Sequence, residues 1–156
     1  MYTFLLGVHN LLRWVILVLL LVNILRHFTA MNRPFTSIDK KLGLWLMIAA
    51  HIQLLIGLYQ WFVGGYGLQT IKSSGMSAVM QNDTERFFIV EHTVAMLIAI
   101  ALITFARGIY RKQLTDKKKH RRCILLYTLS LIIILAMIPW PDMDEIGRSL
   151  VPHFGK

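Results

Sequence analysis

Cysteine is almost absent from this sequence. Cys123 is the single one in 156 residues, so neither an internal disulfide nor a cysteine-pair metal knuckle can form. Acid is scarce too, with eight Asp and Glu against 17 Lys and Arg, and charged residues of both signs make up only 16% of the chain. A soluble domain usually carries about a quarter. There is no glycine-rich nucleotide loop, no Cys-X-X-Cys-His for covalent haem and no nucleophile elbow. No internal repeat or low-complexity tract is visible either. What remains is apolar, at 56% of residues. That balance argues against a soluble globular protein, a disordered chain and a nucleic-acid-binding domain, and for a membrane protein.

Four apolar runs, roughly 4–25, 42–63, 87–106 and 124–140, are rich in Leu, Ile, Val and Ala. About 20 such residues cross a bilayer as a helix. None of the runs alternates, so helices are expected rather than barrel strands. The expected fold is therefore all-α: one up-down-up-down four-helix transmembrane bundle filling residues 1–156. The first run has no basic segment before it and no small-residue cleavage site after it, so it is read as a retained span and not a signal peptide.

The basic residues sort by side. Segments 26–41 and 107–122 hold 12 of the 17, which places both in the cytoplasm and both termini outside. Topology and lipid headgroups account for that charge, and no nucleic-acid partner is expected. Thr36 and Asp39 fit a cap before the second span, and Asn82 with Glu85 fits one before the third. Gly64, Gly65 and Gly67 end the second span, and segment 64–81 is long enough to fold over the outer end. Pro139, Trp140 and Pro141 stop the fourth.

Ionisable groups at bilayer depth cost several kcal/mol when unpaired, so each one there is a candidate site residue. Five qualify: His9, Arg13, His51, Glu91 and His92. His27, His120 and His153 are read as surface residues. His9 and Arg13 lie four apart on one face of the first helix. The second span carries His51 on a face with Met47 and Leu55, with Gln53 and Gln60 pointing elsewhere. In the third, His92 shares a face with the small residues Ala95 and Ala99. At 1.5 Å per residue, His9 and His92 both lie roughly 8 Å below the outer boundary, Arg13 roughly 13 Å and His51 roughly 18 Å.

Two histidines at one depth on diagonal helices are what a b-type haem needs. Arg13 would serve a haem propionate, with Glu91 as its other candidate partner. His51 would be an alternative axial ligand or a neighbour of the site, and Glu91 a proton relay. Three histidines and a carboxylate would also suit a non-haem metal, with His9, His51 and His92 as ligands. A third reading makes these residues the polar glue of a haem-free accessory subunit. An enzyme or transporter using the His-Glu cluster is a further alternative.

His9-Asn10-Leu11-Leu12-Arg13-Trp14, Ala50-His51-Ile52-Gln53-Leu54-Leu55-Ile56-Gly57, Glu91-His92 and Ile138-Pro139-Trp140-Pro141 together resemble the short four-span bacterial membrane proteins labelled cytochrome b. The resemblance touches every span. It implies haem b, electron transfer with a quinol pool or a partner redox subunit, and a place in the bacterial inner membrane. Unlike other b-type four-helix bundles and the halves of haem A synthase, the fourth span carries no histidine.

Overall fold

A computed structural model describes residues 1–151, so the position of His153 lies outside the described residues. Among them the chain is all-helical, with no strand. Two long helices come first, α1 (Tyr2–Thr29) and α2 (Ser37–Val63). Short helices α3 (Leu68–Ser74), α4 (Met76–Gln81) and α5 (Asp83–Arg86) follow within the expected polar segment and just beyond it. A π-helical turn at Phe87–Glu91 leads into α6 (His92–Gly108), and α7 (Asp116–Ala136) closes the bundle. Each long helix packs on the next and α7 packs back on α1, so α1 and α6 stand diagonally, as do α2 and α7.

Three stretches are long and apolar enough to cross a membrane: Tyr2–Thr29, Ser37–Ser74 and Asp83–Arg111. The fourth differs from expectation. Helix α7 starts earlier, within the basic segment, so Lys117 to Arg122 are helical rather than loop. It also stops at Ala136 instead of reaching Trp140. Pro139 explains the stop, because proline lacks an N–H and disfavours helical backbone at the residue before it. The uninterrupted apolar part, 123–136, spans roughly 20 Å, shorter than the other helices.

Both expected caps form. Thr36 and Asp39 make a reciprocal capping box, and Asn82 accepts the Glu85 N–H at 2.9 Å. Gly64 ends α2.

The bundle is solid at one end and hollow at the other. Its buried core, including Leu20, Leu46, Ala99, Ile103, Ala106 and Tyr127, lies in the half nearer the basic segments. Small residues such as Gly43, Ala49, Ala50 and Ala99 let the helices approach closely there. In lipid such close packing, not apolar burial, holds helices together. Leu11, Val18, Trp45, Leu55, Ile98, Phe105 and Leu129 face outward, giving the apolar exterior a bilayer requires.

The core also corrects the reading of two histidines. His27 and His120 are not surface residues but are 1% and 0% exposed. Their Nδ1 atoms lie 2.9 Å apart, so one ring donates a proton to the other. His27 is stacked between Phe35 and Tyr127, with ring centroids at 5.5 and 5.9 Å. The cause is helix length: α1 continues to Thr29 and α7 begins at Asp116, so both residues fall inside the α1–α7 contact. Beside them Arg26 pairs with Asp39 at 2.8 Å, which ties α1 to α2.

Candidate functional site: a polar-lined cavity between α1, α2, α6 and the C-terminal segment

The hollow end holds a cavity of about 610 Å³, within the range that binds drug-sized ligands and cofactors. His9 and Arg13 of α1 line it, with Gln53, Gly57, Gln60 and Trp61 of α2, His92 and Met96 of α6, and Met137 and Ile138 after α7. Most of the surrounding wall is apolar.

His9 and His92 therefore reach one cavity from diagonal helices, in line with the depth matching. His92 sits directly after the π-helical turn, a local widening that re-aims the following side chains and recurs at functional sites. Its Nδ1 donates to Met137 O at 2.9 Å. That carbonyl is available because α7 has already ended. The bond fixes the tautomer and leaves the Nε2 lone pair free, the usual arrangement of a ligating histidine. His9 Nδ1 is enclosed and has no partner. Its ring lies against Gly57, where a Cβ would come within 3.3 Å of Cε1.

Five enclosed polar atoms around this cavity have no partner among the described residues: His9 Nδ1, Asn10 Oδ1, Arg13 Nε, Gln53 Oε1 and Gln60 Nε2. Each orphaned group costs about 1–3 kcal/mol unless something satisfies it. Gln53 Nε2 donates to His9 O at 3.0 Å and Asn10 Nδ2 to Ser149 O at 3.1 Å. These bonds fix both amides, so their oxygens are true acceptors. The set thus offers two acceptors, two donors and an imidazole.

Other candidates are placed elsewhere. His51 is exposed on the outer face of α2, with Nδ1 donating to Met47 O of its own helix at 2.8 Å. The face of α2 that looks inward is instead Gln53, Gly57 and Gln60, spaced four and three apart. The three-histidine metal centre is consequently not assembled. Among the described residues, no three His, Cys, Asp or Glu come together to hold a metal. Glu91 points away and pairs with Arg86 at 2.9 Å. Among the described residues Arg13 binds neither Glu91 nor another acid. Its Nη2 donates to Leu150 O at 3.3 Å, beside Trp14 Nε1 at 3.1 Å from the same oxygen.

The C-terminal segment was missed as part of the site. After Pro141 it turns back so that Arg148, Ser149 and Val151 form one wall of the cavity. Arg148 covers Phe88 at 4.9 Å and Tyr66 at 5.8 Å. Asn10, Arg13 and Trp14 hold it through backbone carbonyls, which carry no sequence signal. No known protein family, curated protein or solved structure matches the chain.

Proposed function

We propose that this chain is a b-type cytochrome of the bacterial inner membrane, a multi-pass protein with α7 as its fourth span and both termini outside. In this reading His9 and His92 would hold haem b in the cavity. The carrying observation is that two histidines from diagonal helices line one largely apolar cavity, with enclosed polar atoms that lack partners among the described residues. The residues present fit such a group. His92 keeps Nε2 free, Gly57 makes room for the His9 ring, and Arg13 Nε and Gln60 Nε2 are donors of the kind propionates accept. Bound haem would supply one-electron redox chemistry. The protein's part is to orient both imidazoles, exclude water with the apolar wall and set the charge near the iron through Arg13. Electrons would pass to or from a quinol pool or a partner redox protein near the outer face.

A second reading has one observation in its favour. Gln53 Oε1 and Asn10 Oδ1 are acceptors without a donor among the described residues, and ionised propionates cannot supply one. A quinol has the hydroxyls they need, so quinol could occupy the cavity itself. Titrating the haem-free protein in detergent with hemin separates the two. Saturation at one hemin for each chain, with a low-spin spectrum, supports the cytochrome. Absence of saturable binding overturns it.

A further inference from the structure

A second cluster lies at the opposite, basic end, independent of whatever fills the central cavity. Tyr110, just past α6, is surrounded by cations from two helices. The Arg107 guanidinium lies 4.1 Å from its ring centroid, Arg111 5.3 Å and Lys40 of α2 5.6 Å. Arg111 Nε also donates to the Tyr110 hydroxyl at 2.7 Å. Arg107 is the informative member, because its Nε and Nη1 are enclosed and have no hydrogen-bond partner among the described residues. The ring face offsets part of its charge, but ring contact does not satisfy an N–H.

The neighbouring acid is already engaged. Asp39 Oδ1 accepts from Arg26 Nε at 2.8 Å, and Oδ2 accepts from Thr36 N and Oγ1 at 2.6 and 2.8 Å. What remains is net positive. Between Arg107, Lys40, Gly43 and Tyr127, with the paired Asp39 also in its wall, lies a recess of about 10 Å³, the size of one oxygen-bearing group. Lys40 and Arg111 are exposed at its mouth.

From this we infer a phosphoryl-anion site between the start of α2 and the end of α6. One oxygen would enter the recess and accept from one of the unpaired Arg107 N–H groups, and Lys40 and Arg111 would hold the rest outside. A guanidinium N–H makes a charge-assisted bond to a phosphoryl oxygen, and an ammonium adds a point charge. The site lies where the apolar length of both helices ends, at headgroup level for a membrane protein. Basic pockets between helices there take anionic headgroups. The lipid phosphodiester is thus the favoured source, and free phosphate shares its chemistry.

The test uses the full-length protein in detergent. Native mass spectrometry with phosphatidylglycerol and phosphatidylcholine compares the wild type with Arg107→Gln, Lys40→Gln and a control, Lys117→Gln with Lys118→Gln. Thermal unfolding with inorganic phosphate, against sodium chloride at equal ionic strength, forms the second arm. Loss of one charge-assisted bond predicts about tenfold weaker phosphatidylglycerol binding in Arg107→Gln and less than twofold change in the control. Should only inorganic phosphate discriminate wild type from Arg107→Gln, the site stands with free phosphate as its source. Lys40 is exposed, so its variant reports even if Arg107→Gln fails to fold. Wild-type binding of both probes by both variants, or equal losses in the control, would overturn the site.

Discussion

Gly57 is the sharpest single probe of the cavity, because it separates folding from binding. Alanine there places a Cβ 3.3 Å from His9 Cε1, so the ring must yield by a few tenths of an ångström. Replacing a mid-helix glycine by alanine favours the helix by about 1 kcal/mol. These effects oppose each other, and Gly57→Ala should leave stability within about 1 kcal/mol of wild type. Leucine extends the side chain into the space of the His9 ring. In a packed core that overfilling would cost about 1–3 kcal/mol. Here the ring and the new side chain can move into the open cavity instead, so the bundle should still form. The ligand then loses both the space and the orientation of His9. Gly57→Leu should keep a cooperative helical melt by circular dichroism but retain less than a tenth of the wild-type haem. A Leu variant with wild-type haem content and a wild-type spectrum would refute the placement of the site against Gly57.

Three further outcomes are expected. His92→Ala should abolish the low-spin spectrum, since no other histidine lies on the third span, whereas His51→Ala should preserve it; the opposite pattern in absorption spectra would exclude His92 as the ligand. Arg13→Leu removes the hold on Leu150 O and a positive charge, so trypsin should cut at Arg148 faster and the midpoint potential should fall, as read by gel and redox titration. His27→Ala leaves a buried imidazole without its partner and should cost about 2–4 kcal/mol. A double-mutant cycle with His120→Ala should then give a coupling of at least about 1 kcal/mol in denaturant unfolding, and near-additivity would contradict the buried bond.

The helices were legible because apolar runs, glycines and prolines act locally. Thr36 with Asp39 and Asn82 with Glu85 mark their caps through side chains a few residues apart. The diagonal match of His9 and His92 followed from rise per residue alone. Other features depended on longer contacts. His27 and His120 look like loop residues beside clustered lysines and arginines, and only the extension of α1 and α7 buries them. On α2 the ionisable residue drew attention to the wrong face. Gln53, Gly57 and Gln60 form a regular inward stripe, yet their signal was polarity without charge, which is easily outweighed by a histidine. Arg13 was assigned to a carboxylate because charge suggests charge. Its observed partner is a carbonyl of a returning segment, and no side chain announces that.

The roles proposed for Arg13, Gly57 and Gln60 all depend on haem in the cavity between His9 and His92. The most direct measurement is the dithionite-reduced minus oxidised spectrum of the full-length protein purified from cells supplied with haem precursor, with a pyridine haemochrome assay on the same sample. A red protein with a low-spin b-type spectrum and one haem for each chain is expected. A folded, colourless protein from those cells would contradict it.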